Sequence, residues 1–249
     1  MIIIKTDSEI EYMVKAGKVV AEALDTLEKH VKPGISTGEL DRIAEEIILG
    51  KNAKPSFKGY YGFPASICTS VNNEVVHGIP NKDRILNEGD IISIDCGAIL
   101  NGYQGDAART FPVGNVSEEA AKLIEVTKNS FFKGIEKAKV GNRLTDISAA
   151  IQEYVESYGL SIVRDYVGHG IGKNMHEDPE IPNFGRPGRG PKLSKGMCLA
   201  IEPMVNIGDF NVKVEPNKWT VVTVDGSLSA HYENTVAILD DGPKITTLI

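Results

Sequence analysis

Four carboxylates and two histidines stand where they could do chemistry. Asp95 closes the apolar run IISID and Glu202 closes CLAIE. Asp106 lies in GYQGDAART and Glu233 in SAHYENTVAIL, each among small or apolar residues. All four read as strand residues turned toward a buried face, where an unpaired charge is very costly. Four anions converging on one point repel each other unless cations bind there. Two divalent metals bridged by carboxylates meet that need. His169 and His176 share the segment YVGHGIGKNMHEDP, whose glycines and acidic turn argue against a helix. Gly168 and Gly170 leave the His169 ring free to approach a metal in a tight extended segment. The segment is therefore expected to fold over the site, with His169 inside as ligand and His176 above it, facing substrate. Four acids and one neutral imidazole suit Mn, Fe, Co or Zn better than Mg alone. Taken singly, each residue has an ordinary explanation. Asp95 could be a turn acid, Glu233 could pair with a base such as Arg109, and a lone histidine is usually a hydrogen-bonded core or surface residue. The joint pattern is what points to metal.

Elements of both kinds must position these groups. Two capping boxes compete at the first helix, Ser8-x-x-Glu11 and Thr6-x-x-Glu9. Ile10, Met13, Val14, Gly17, Val20, Ala21, Leu24 and Leu27 then keep a helical period, so a helix is expected over 8–30, broken by Pro33-Gly34. Ser36-x-x-Glu39 opens a second helix, with Leu40, Ile43, Ala44, Ile47 and Ile48 on one face. Residues 65–78 read as one β region. Residues 89–114 read as two strands joined at Asn101-Gly102, a hairpin signal. The pattern then starts again, with helices at 117–138 and 144–158 and β-formers and turns from about 161 onward.

This restart has the character of an internal repeat. An offset of 107 places Gly34 on Gly141, Leu86 on Leu193, Gly89 on Gly196 and Asp95 on Glu202. The expectation is an α+β fold of two pseudo-symmetric halves, about 8–113 and 117–249. They fuse into a single domain over 1–249, with helices on one side of a curved antiparallel sheet.

Composition narrows the classes. The 249 residues are 41% apolar and 24% charged, which argues for a folded globular protein. A net charge of −7 without a basic patch argues against nucleic acid as a main ligand. Cys68, Cys96 and Cys198 are odd in number and far apart, so a disulfide framework or a thiolate zinc site is not expected. Neither a signal peptide nor a membrane span is read from the sequence. A reducing cytoplasm fits these features.

Together the motifs around His77 (EVVHGIP), Asp95, Asp106, His169, Glu202 and Glu233 resemble those of type I methionine aminopeptidases of peptidase family M24, over nearly the whole chain. The resemblance implies the pita-bread fold and removal of N-terminal methionine before a small second residue. It implies two divalent ions: Asp106 and Glu233 bridging them, His169 and Glu202 completing one, Asp95 binding the other. It implies Glu202 as proton shuttle as well as ligand. His176 would meet the carbonyl oxygen and His77 the scissile nitrogen. The methionine pocket would be built from Tyr60, Phe63, Cys68 and Trp219, with Phe57 and Met175 at its edges. Phe57, Phe63 and Met175 depart from residues common in related enzymes, which leaves the pocket apolar. The direct run from Met1 into the first helix, and the short span from His176 to Glu202, resemble the short bacterial form. Nascent polypeptide N-termini near the ribosome are the implied partners, with the protein a monomer bound to no nucleic acid or membrane. The rivals are a proline-directed dipeptidase of the same fold, a creatine-type amidinohydrolase, and a non-catalytic nascent-chain adaptor.

Overall fold

A computed structural model describes residues 1–248; Ile249, the end point of the expected second half, lies outside the described residues. In chain order, helices α1 (Asp7–His30) and α2 (Thr37–Gly50) lead into strands β1 (Lys54–Pro55), β2 (Ile67–Val71), β3 (Glu74–Val76), β4 (Ile91–Leu100) and β5 (Tyr103–Pro112). Helices α3 (Glu118–Ile135) and α4 (Leu144–Ser157) follow. Then come β6 (Ser161–Ile162), β7 (Gly168–Gly170), β8 (Glu177–Ile181), β9 (Cys198–Ile201) and β10 (Met204–Asn206). The chain closes with β11 (Val212–Val214), β12 (Val221–Thr223), β13 (Ser229–His231), β14 (Asn234–Leu239) and β15 (Gly242–Ile245). The fold is α+β, as expected, and the strand pairs are antiparallel.

Local chemistry explains the boundaries. At α1 the Thr6–Glu9 box wins over Ser8–Glu11: Thr6 accepts from the Glu9 amide and Glu9 accepts from the Thr6 amide at 2.8 Å. The helix therefore starts at Asp7, with its first-turn acids set against the positive end of the dipole. At α2 Ser36 caps the Glu39 amide, but the Glu39 carboxylate turns to Arg42 instead of closing a box. The region 65–78 divides into β2 and β3, because Asn72 turns the chain at a positive φ. The β4–β5 hairpin reverses at Asn101-Gly102. Helix α3 ends at Ile135, short of the expected 138, where Ala138 closes a turn onto Ile135.

The offset of 107 holds in backbone hydrogen bonds. Gly34 donates to Leu86 at 2.8 Å, and Gly141 to Leu193 at 2.9 Å. Leu86 returns a bond to Ile35, and Leu193 returns one to Asn142. The isolated bridges Ser36–Ile85 and Arg143–Lys192 follow the same rule. Each half has its own core. One joins Leu24, Leu27, Leu40 and Ile48 of α1 and α2 to Ile92 and Ile94 of β4. The other joins Leu123, Phe131, Ile147 and Ile151 of α3 and α4 to Leu199 and Ile201 of β9. The halves meet where β5 passes β14. There Ala108 and Glu233 exchange both backbone bonds, at 3.3 and 3.0 Å. Thr235 Oγ1 donates to Asp106 O on one side of that pair, and Thr110 Oγ1 to His231 O on the other. No helix among the described residues is long and apolar enough to cross a membrane.

The first residues also reach the segment that carries His176. Lys5 donates to Glu177 at 2.6 Å, with both side chains only 3% exposed. Its amide donates to Gly196 O. Glu177 directly follows His176, so this pair braces the segment carrying that histidine. Replacing Lys5 by Met leaves a buried carboxylate without its cation and is expected to cost about 3–5 kcal/mol in urea denaturation. Adding Glu177→Leu should recover most of that loss. A cost of the single change below about 1 kcal/mol would mean that the pair contributes no more than a surface ion pair does.

Candidate metal centre and substrate pocket

A cavity of about 250 Å³ opens between the halves. Every residue singled out from the sequence lines it: the four acids, His77, His169 and His176, and the pocket residues Phe57, Tyr60, Phe63, Cys68, Met175 and Trp219. The cavity has an acidic end and an apolar end.

Strand pairing builds the acidic end. Asp95 lies on β4 opposite Ala108 of β5, and Asp106 lies opposite Gly97. Side chains two apart on a strand share a face, so Asp106 and Ala108 point the same way. Asp95 and Glu202 occupy positions that match at the repeat offset. Asp106 and Glu233 do not. Glu233 pairs with Ala108 across the junction, so the second pair of acids is displaced by two residues from strict symmetry. That shift brings both acids onto one side of the junction. One oxygen each of Asp106, Glu233 and a ring nitrogen of His169 lie within 4.8 Å of one another. His169 Nε2 is 3.8 Å from Asp106 Oδ2 and 3.7 Å from Glu202 Oε1.

The histidine segment is the short β7–β8 pair, with Gly170 opposite Glu177. A Cβ on Gly168 would stand 2.3 Å from Ala200 O, and one on Gly170 would stand 2.1 Å from Asp178 O. Both positions thus need glycine because neighbouring backbone crowds them, which goes further than freedom for the ring. His169 Nδ1 lies 2.9 Å from Gly170 O. A proton donated there leaves Nε2 as a lone-pair donor facing the acids, the tautomer a metal ligand requires. His176 stands over it with ring centroids 4.3 Å apart, and its Nδ1 lies 2.9 Å from the Tyr60 hydroxyl.

The donor set fits divalent metal. Asp95 Oδ1, Asp106 Oδ1, Glu233 Oε1 and His231 Nε2 are buried and lack any hydrogen-bond partner. Arg109 does not meet the Glu233 carboxylate. It donates to the Glu233 and Ala108 carbonyls and to Asn234 Oδ1, and stacks on Tyr232. The acids are thus uncompensated within the chain. Burial, then repulsion from the other acids, pushes Asp106 and Glu233 far above the ordinary carboxyl range. Burial raises Asp95 to about 7 and Glu202 to about 8. Burial lowers His77, His169 and His231 to about 4, and lowers His176, so all four are neutral near pH 7. Burial, then Asp95, keeps Cys68 a thiol, which makes it a wall and removes it as a nucleophile.

These shifts set the stability of the metal-free protein. Between about pH 4 and 6.5 the two sets oppose each other. Acids protonated only in the folded chain favour it at lower pH, while histidines neutral only in the folded chain favour it at higher pH. Above about pH 6.5 the histidines are neutral in both states, and the acids alone still titrate. Metal-free protein should therefore lose stability as pH rises from 6.5 through 8, by up to about 1.4 kcal/mol per pH unit for each proton released. Added Mn²⁺ should abolish the trend. Stability that is flat or rising over that range in urea denaturation would contradict this reading.

The apolar end joins Phe63, Ala65 and Cys68 to Phe57, Ile79 and Trp219. Phe63 meets Trp219 edge-on at 5.1 Å. Cys68 pairs with Asp95 across β2 and β4, which sets the apolar wall directly beside the acids. Three residues escaped the sequence reading. Tyr61, exposed and at a φ of 47°, forms the cavity lip against Tyr60. Asn183, fully buried, donates to the Glu202 carbonyl at 3.0 Å. His231 approaches the Glu202 carboxylate at 3.6 Å. Only His231 carried a usable signal, standing two residues before Glu233 and so on the same face.

Three comparisons place this geometry among known proteins. The model for "Metallopeptidase family M24" matches residues 11–240. The methionine aminopeptidase of Clostridium acetobutylicum is 73% identical over 248 residues, covering 100% of this chain and 99% of that one. Methionine aminopeptidase 1 of Bacillus subtilis is 57% identical over 249 residues and covers both chains completely. The crystal structure of the methionine aminopeptidase of Thermotoga maritima superposes with a TM-score of 0.99 at 51% identity, over all of both chains.

Proposed function

We propose, for a chain that belongs to metallopeptidase family M24, that it is a methionine aminopeptidase of the short bacterial type. It hydrolyses the first peptide bond of chains that begin with methionine and carry a small second residue. Its relatives of that name are matched end to end, and the fold is theirs, the pita-bread α+β fold. The observation that carries the reading is the cavity itself: an uncompensated acid cluster joined to an apolar pocket. A proline-directed dipeptidase has no evident use for the aromatic and thiol walls beside Asp95. A non-catalytic adaptor has no use for buried, unpaired acids.

The site requires divalent metal, and we assign two ions to it. Asp106 and Glu233 would be the shared ligands, with His169 and Glu202 holding one ion and Asp95 the other. Mn, Co, Fe and Zn all suit these donors. Divalent metal supplies a nucleophile at neutral pH and polarises a carbonyl. The rest belongs to the chain. The pocket of Tyr60, Phe63, Cys68 and Trp219, edged by Phe57 and Met175, takes the methionine side chain. The free α-amine is drawn to the acidic end, which limits cleavage to the first residue. Glu202, whose carboxylate lies beside the reacting bond, would take a proton and return it to the leaving nitrogen. A proton donated by the Tyr60 hydroxyl to His176 Nδ1 leaves Nε2–H free to donate to the carbonyl oxygen as charge develops there. His77 contacts the scissile nitrogen. We read the chain as one domain of two related halves, a cytoplasmic monomer acting on nascent N-termini near the ribosome.

Metal-stripped protein, titrated with Mn, Co, Fe and Zn, tests this against Met-Ala-Ser, Gly-Ala-Ser and N-acetyl-Met-Ala-Ser. Metal-dependent release from Met-Ala-Ser alone is expected. Equal cleavage of the glycine peptide would keep the metal site and sink the pocket assignment. No cleavage by folded protein with any metal would favour an adaptor.

A further inference from the structure

We propose that His231 is a positioning residue for Glu202, its Nε2–H donating to Glu202 Oε2 so that Oε1 is turned toward His169. The inference rests on the assignment of Glu202 as a metal ligand. His231 is 1% exposed, and its Nε2 has no hydrogen-bond partner although it lies 3.6 Å from Glu202 Oε2. Catalytic hydrogen bonds are often long before the site is loaded, and this one needs to shorten by only a few tenths of an ångström. On the other side, His169 Nε2 lies 3.7 Å from Oε1. The carboxylate is thus bracketed by two imidazoles, one per oxygen.

The chain holds His231 firmly in this place. Its amide donates to Thr110 Oγ1 at 2.9 Å, and the same hydroxyl donates to its carbonyl at 2.8 Å. Ser93 fixes that hydroxyl from behind at 2.8 Å. Asn183 separately anchors the Glu202 carbonyl. Glu202 is therefore gripped at its backbone and approached at both carboxylate oxygens, and the His231 contact selects which oxygen faces the metal. Groups in this outer position set ligand orientation and, through it, metal affinity.

Calorimetric titration of Mn²⁺ into stripped wild-type, His231→Leu and His231→Gln proteins tests this without an activity readout. The leucine variant should bind Mn²⁺ about 10-fold more weakly, and glutamine, whose amide can donate from a similar distance, should restore the Kd to within about threefold. His231→Met replaces the leucine variant if thermal melting shows that variant unfolded. A folded apolar variant with the wild-type Kd would overturn the inference while leaving the metal site intact. Glutamine as weak as leucine would also overturn it, making the imidazole itself a ligand. Wild-type protein that binds no Mn²⁺ would remove the metal assignment and this inference with it.

Discussion

Asp106→Asn is expected to abolish turnover, by on the order of 10³-fold or more, because in the proposed assignment Asp106 is the ligand shared by both metal positions. The same substitution should stabilise the metal-free protein at pH 8, by about 1–2 kcal/mol. Asp106 is 4% exposed and one of its oxygens has no partner. Burial first, then Asp95 and Glu202, pushes its carboxyl far up. A neutral amide removes the cost of burying that carboxyl, whether it is met as repulsion or as a proton taken up on folding. A residue with a purely structural role would behave differently, since its loss lowers stability and activity together. Opposite signs are the signature of a charge kept for a ligand. If urea denaturation shows the metal-free variant less stable than the metal-free wild type, the acid cluster is a structural network and the metal assignment falls.

His176→Ala should lower kcat by about 10²–10³-fold while metal content stays at the wild-type level. Its ring stands over His169 without entering the acid cluster, and the Tyr60 hydroxyl orients it. Burial lowers its pKa, so in the proposed role it would meet substrate as a neutral donor. Tyr60→Phe frees the tautomer without removing the ring and should cost less, about 10-fold. Turnover is measured beside metal analysis on the same preparations. Loss of metal from His176→Ala would make this histidine a ligand and refute its role as a donor to the carbonyl oxygen.

Much of the fold and of the candidate site is legible in the sequence, for reasons that can be named. The Asn101-Gly102 turn, the Ser36 cap and the helical periods are local signals, and they placed β4, β5, α2 and α4 within a residue or two. The offset of 107 reads a repeated structural need: Gly34 and Gly141 make the same hydrogen bond in each half. Choosing between the Thr6 and Ser8 boxes was harder, because two valid caps lay within one turn. The junction of β5 and β14 was out of reach. Ala108 and Glu233 pair across more than a hundred residues, and nothing local to either strand encodes that register. Hence the displacement of Asp106 from symmetry with Glu233 emerges only in three dimensions. The bracing of the His176 segment by Lys5 is hidden for the same reason, since an N-terminal lysine has no sequence mark of burial. His231 was hidden differently. Its alternation with Glu233 was present in SAHYEN, but the acid carried the stronger signal and the histidine beside it had no metal-like spacing of its own.

The central claim is that the uncompensated acids exist to hold metal, and metal content after equilibrium dialysis against Mn²⁺ tests it most directly. Stripped wild-type protein should take up about two ions per chain, as the proposed shared ligands imply, and Asp106→Asn should take up almost none. Folded wild-type protein that emerges without Mn²⁺, or an Asp106→Asn variant that binds as much as wild type, would contradict the account.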